Sequence, residues 1–149
     1  MPAIVQWLDG TSDRSAHCAC FAETAVKKMS PELLGQGSEQ ELAALLERSS
    51  TQCTVPRLKA SYPANCPLIV REWGDDGRGA TADSSAVAKL CECTQPSIDE
   101  ITEDTAEAFS SQTIKDYASY KKTGQVPATS RSLVGVMSRC GIAGLKFSR

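Results

Sequence analysis

Pro2-Ala3-Ile4-Val5-Gln6-Trp7 and Pro67-Leu68-Ile69-Val70-Arg71-Glu72-Trp73 are two versions of one pattern, a proline followed by an Ile-Val pair and a tryptophan. Each then passes through a stretch of Gly, Asp and Ser or Arg, Asp9–Asp13 in one case and Gly74–Gly79 in the other. Each next reaches a Cys-x-Cys, Cys18-Ala19-Cys20 and Cys91-Glu92-Cys93. Helix-start signals follow at Met29-Ser30-Pro31-Glu32 and Ile101-Thr102-Glu103-Asp104, and each copy closes on a single cysteine, Cys53 and Cys140. Five matches in the same order point to an internal duplication. The copies span 1–55 and 67–149. Between them lies a connector, 56–66, expected because Pro56, Pro63 and Pro67 each lack an amide donor and disfavour helix just before them.

Apolar spacing within the copies is helical. Phe21, Ala22, Ala25 and Met29 recur on one face of an expected helix over 12–29. Ser30 and Pro31 suit the cap and first position of a short helix through Leu34. Ser38-x-x-Glu41 is a capping box that opens a helix over 39–52, with Leu42, Leu45, Leu46 and Cys53 on its apolar side. In the second copy, Asp83 or Ser84 caps a helix carrying Val87, Leu90 and Cys91, which Pro96 is expected to interrupt. Further helices are expected over 97–111 and around Ile114–Lys121, and Ser130 is expected to cap a last one carrying Leu133, Val134, Val136, Met137 and Cys140. Sustained two-residue alternation is absent. The expectation is an all-α fold: two tandem disulfide-stapled helical repeats packed into one compact domain.

Seven cysteines in 149 residues point to an oxidising compartment. Spacing alone leaves their pairing open, but the duplication narrows it. Cys20–Cys53 and Cys93–Cys140 are then equivalent staples, Cys66–Cys91 is an extra bridge in the second copy, and Cys18 is left as a free thiol. The position matching Cys66 in the first copy is Met1, so the lost partner of Cys18 is expected at or before residue 1. That suggests a precursor with a signal peptide since removed, or a lipid-bearing cysteine there. The expected location is periplasmic or secreted. No aliphatic run in the sequence is long enough for a membrane span.

Sixteen basic and eighteen acidic residues give a net charge of −2, which argues against a nucleic-acid partner held by bulk charge. The charge is segregated. Residues 1–110 hold nine Lys/Arg and seventeen Asp/Glu (net −8), whereas 111–149 hold seven Lys/Arg against Asp116 alone (net +6). Acids near helix starts and bases near helix ends suit the helix dipole, and a basic tail also suits an acidic partner or an anionic membrane.

Reactive chemistry is thinly represented. His17 is the one histidine, it has no nucleophile elbow near it, and P-loop and zincin signatures are missing. His17, Cys18 and Cys20 with Cys91 and Cys93 offer soft metal ligands, but one residue between paired cysteines is too short for a usual zinc chelate. Cys-x-Cys also departs from the Cys-x-x-Cys of thiol-exchange sites. Glu23, Glu32, Glu72, Asp75 and Asp76 are the carboxylates available to a hydrolase, with no spacing that selects a pair. The loop Gly74–Gly79 lacks the ligand alternation of an EF-hand. Trp7 and Trp73 read as matching core anchors. No catalytic residue, cofactor or metal site is assigned. The expected function is a non-enzymatic protein-binding module, an inhibitor or toxin-immunity protein whose partner is another protein. The alternatives are a small carboxylate-dependent hydrolase of cell-wall or extracellular polymer, and a thiolate metal carrier.

Overall fold

A computed structural model of the chain describes residues 2–10, 19–20, 22–23, 26, 35, 37–73, 81–125, 129–145 and 147–148. In chain order the elements are α1 (Ala3–Asp9), α2 (Glu39–Trp73), β1 (Thr81–Ala82), α3 (Ser84–Asp99), α4 (Glu103–Thr123), α5 (Leu133–Arg139), a single 3-10 turn (Ile142–Gly144) and β2 (Phe147–Ser148). Among the described residues the architecture is all-helical apart from one antiparallel ladder in which Thr81 pairs with Ser148 and Ala82 with Phe147. The expected helices over 12–29 and 30–34 fall largely outside the described residues.

The 35-residue α2 runs straight through the stretch expected as a connector, with Pro56, Pro63 and Pro67 inside it. Its buried side chains explain why. Val55, Leu58, Tyr62, Cys66, Ile69, Val70 and Trp73 recur at three- and four-residue steps and form one core-facing stripe. Pro56 and Pro63 are exposed and Pro67 is half-buried, so each carbonyl that loses its donor to a proline does so away from the centre of the core. Each interior proline costs about 3 kcal/mol, whereas each large apolar side chain buried on the opposite face returns about 1.5–3 kcal/mol. Burial wins because the stripe outnumbers the prolines.

The short α1 lies antiparallel to the second half of α2 and is held at both ends by it. Ala3 N–H at the start of α1 donates to Glu72 Oε2 at 2.5 Å. At the other end Arg57 donates from Nη1 to Trp7 O and from Nη2 to Leu8 O, both at 2.8 Å. A carboxylate at the amino end and a guanidinium fork at the carboxyl end both complement the helix dipole. Gly10 closes α1 at φ 76°, and a Cβ there would lie 2.8 Å from Arg57 Cζ. Seven residues are too few for a stable isolated helix, so α1 owes its existence to α2.

The same rules set the remaining helices. Asp83 caps α3, accepting from Ala86 N–H, and α3 passes through exposed Pro96 because Val87, Leu90, Thr94 and Ile98 keep one buried stripe. The interruption expected at Pro96 falls instead between Asp99 and Glu103. There Thr102 N–H donates to Thr105 Oγ1 at 2.9 Å and opens α4. α4 is a single helix where two were expected, and Gly124 (φ 70°) ends it. The cap of α5 is Ser132, two residues after the expected Ser130; its hydroxyl accepts from Gly135 N–H.

One continuous core joins these elements, with Trp7, Leu58, Tyr62, Ile98, Leu133 and Met137 among its most deeply buried members. Both Pro-to-Trp segments are helical, the first as α1 and the second as the last turns of α2, and both tryptophans pack toward α4. Trp7 meets Tyr62 (5.1 Å between ring centroids) and, edge-on, Phe109 (6.3 Å). Its indole N–H donates to Leu58 O. Trp73 meets Tyr117 (5.5 Å) and Tyr120 (5.0 Å). Three disulfides brace the frame: Cys20–Cys53, Cys66–Cys91 between α2 and α3, and Cys93–Cys140 between α3 and the end of α5. These are the pairs expected from matching the Cys-x-Cys and closing cysteines of the two segments. Cys18 lies outside the described residues.

Candidate functional site

Where α3 ends, α4 begins and α5 packs across both, an open groove of about 790 Å³ is formed. Ile101, Phe109 and Val136 line it with apolar surface, all three largely buried by the core beneath. Glu100 and Asp104 contribute acidic groups from the α3–α4 corner, and Arg131 and Arg139 contribute basic groups from either end of α5. Gln112 and Ser132 also line it.

The wall made by α5 is fastened to α4 by a buried polar cluster. Asp116 is 7% exposed. It accepts from Gln112 Nε2 at 2.7 Å and from Ser132 Oγ at 2.5 Å. Thr113 Oγ1 accepts from Leu133 N–H at 3.0 Å, so α4 also satisfies an amide in the first turn of α5. Burial would push the Asp116 carboxyl up, but hydrogen bonds from Ser130, Ser132 and Gln112 outweigh it, and the pKa is lowered below the ordinary Asp value. A charged carboxylate therefore sits immediately beneath the groove, supplied with donors by two residues that line it. Arg139 Nη1 donates to Ser130 O at 2.7 Å and ties the far end of α5 back to the loop that precedes it. Gly135 lets that loop lie close: a Cβ at this position would be 2.1 Å from Ser130 O.

The phenols are part of the frame. Tyr62 is paired with Thr94 Oγ1 at 2.5 Å, and Thr94 in turn donates to Cys91 O. Burial pushes Tyr62 up to about 12 against that hydrogen bond. Burial, then Glu72 and Tyr120, push Tyr117 up to about 12 as well.

Glu72 is engaged at the amino end of α1 and Glu23 is exposed, while Glu32, Asp75 and Asp76 lie outside the described residues, as do His17 and the Gly74–Gly79 loop. Of the cysteines considered as metal ligands, Cys20, Cys91 and Cys93 are each consumed in a disulfide. Neither described member of a Cys-x-Cys pairs with its neighbour: Cys91 and Cys93 face different helices. Among the described residues no group of three or more His, Cys, Asp or Glu side chains is placed to hold a metal ion, and no described helix is long and apolar enough to cross a membrane.

Neither the groove nor the buried role of Asp116 follows from the sequence alone. A signal for Asp116 was present, because an acidic residue stands alone in a basic stretch and falls on the stripe that runs through Phe109, Thr113 and Tyr117. No known protein family, curated protein or solved structure matches this chain.

Proposed function

We propose that the protein is a non-enzymatic binding module of the periplasm or extracellular space, of the inhibitor or immunity type, which presents the α3–α4–α5 groove to another protein. The observation that carries this reading is the groove itself: apolar at its base, rimmed by charges of both signs, and walled by an α5 that is fixed to α4 by Asp116 and to α3 by Cys93–Cys140. A braced surface loses little conformational freedom on association, which favours tight recognition. Three intramolecular disulfides suit an oxidising compartment. The two Pro-to-Trp segments, antiparallel to each other and with their tryptophans packed against a common helix, α4, suit a duplicated ancestry for the two halves.

The hydrolase reading has less support. A general acid needs a raised pKa, whereas the buried carboxylate nearest the groove has a lowered one and is saturated with donors. The metal-carrier reading needs thiolates, and among the described cysteines those sulfurs are held in disulfides.

The test places a photo-crosslinking residue at Arg131, on the groove, and at exposed Lys89 near the start of α3 as a control. In intact cells, one dominant protein adduct is expected from position 131 and none from 89. Equal labelling at both positions, free thiols at Cys20, Cys53, Cys93 and Cys140, or polymer cleavage by the purified protein would overturn the proposal.

A further inference from the structure

The two halves of the charge distribution meet at the groove. From Leu90 to Ile114 there is no Lys or Arg, while Glu92, Asp99, Glu100, Glu103, Asp104 and Glu107 are all acidic. All six are exposed. From Lys115 onward Asp116 is the one acid, and it is buried, so the outward charge of the described part of that stretch is basic. Glu100 and Asp104 come from the first set and Arg131 and Arg139 from the second, and all four line one groove with Phe109 and Val136 at its base.

We propose that the groove receives a protruding segment of the partner protein in which an apolar side chain is flanked by a basic residue on one side and an acidic residue on the other. This rests on the protein-binding reading above and specifies its ligand. The apolar anchor covers Phe109 and Val136, the basic group faces Glu100 and Asp104, and the acidic group faces Arg131. Complementary rim charges set register and orientation and reject wrong partners more than they add affinity. A uniformly charged segment is attracted by one pair of lining charges and repelled by the other. The groove is concave, so a convex segment fits it better than the same face of a second copy.

The probes are short synthetic peptides with a central phenylalanine and the four combinations of Lys and Asp at its two flanks, with binding read by fluorescence anisotropy at low salt. Wild type should bind one mixed-charge peptide roughly threefold to tenfold more tightly than either uniformly charged one, as expected for rim ion pairs, and added salt should erase the difference. Arg131→Glu should shift the preference to the doubly basic peptide. Glu100→Lys combined with Asp104→Lys should shift it to the doubly acidic one. All three sites are exposed, and unchanged helical circular dichroism checks that the variants fold. Absence of binding, or one ranking shared by all three proteins, overturns the inference; if the adduct at position 131 persists, the protein-binding reading survives it. Self-association abolished by Arg131→Glu would assign the groove to a second copy and also overturn it.

Discussion

Replacing Arg57 by methionine keeps most of the apolar stem and removes the guanidinium fork that closes α1. Two charge-assisted hydrogen bonds to Trp7 O and Leu8 O are lost. Bonds to charged groups contribute about 1.5–3 kcal/mol each, and ordering a long arginine side chain offsets about 2 kcal/mol of their sum, so the expected destabilisation is about 1–4 kcal/mol, with the upper part of that range, near 3, for well-aligned bonds such as these. For a chain of this size that lowers Tm by roughly 6–12 °C, measured by thermal unfolding under circular dichroism with the disulfides intact. Gly10→Ala should cost a similar amount for two reasons: an L side chain at φ 76° costs about 1–2 kcal/mol, and its Cβ displaces the guanidinium 2.8 Å away. In the Arg57→Met background the second reason vanishes and only the backbone strain remains. The double variant should therefore be less destabilised than the sum of the singles by about 1–2 kcal/mol. Additivity within about 0.5 kcal/mol, the behaviour of independent sites, would refute the clamp.

Asp116→Asn should cost about 2–3 kcal/mol near neutral pH, because an amide cannot accept from all the donors now aimed at the carboxylate. Since the folded-state pKa lies below the unfolded one, the carboxylate's contribution is present above the ordinary Asp range and is lost as pH falls through the folded value; a pH series of denaturant melts should show an acid arm in wild type that is flattened in the variant. Tyr62 and Tyr117 should ionise near pH 12 by tyrosinate absorbance, with Tyr62→Phe and Tyr117→Phe each removing one such transition. Their raised pKa values also mean that stability falls as pH rises from about 10 to about 12. Gly135→Ala should cost about 3 kcal/mol or more by overpacking against Ser130 O, seen as a lower denaturation midpoint and faster hydrogen exchange across α5.

Helical class and sulfur pairing were legible in the sequence for different reasons. Val87, Leu90, Thr94 and Ile98, like Leu133, Val134 and Met137, carry their period openly. The disulfides followed from the order of repeated motifs, which constrains pairing even where spacing does not. Pro56, Pro63 and Pro67 point away from helix because proline's penalty is local, whereas the stripe from Val55 to Trp73 acts through tertiary burial, which overrides a local preference. Pro96 in α3 shows the same override on a smaller scale. Arg57, Glu72 and Asp116 were invisible in their roles because each acts on a partner 16 to 69 residues away in sequence, and no local pattern encodes such a pairing.

The three bridges join Cys20 to Cys53, Cys66 to Cys91 and Cys93 to Cys140, so from Cys20 onward every cysteine is bonded to its immediate neighbour in chain order. A polypeptide threaded amino-end first through a translocon, and oxidised as it emerges, would acquire these crosslinks one after another without shuffling. Cys18 alone breaks that queue, since it emerges before Cys20 and competes for whichever sulfur comes next. For the exported chain proposed above, Cys18→Ser is expected to reach the native three-bridge form with a dithiol oxidase alone, read by non-reducing mass spectrometry of the refolded protein.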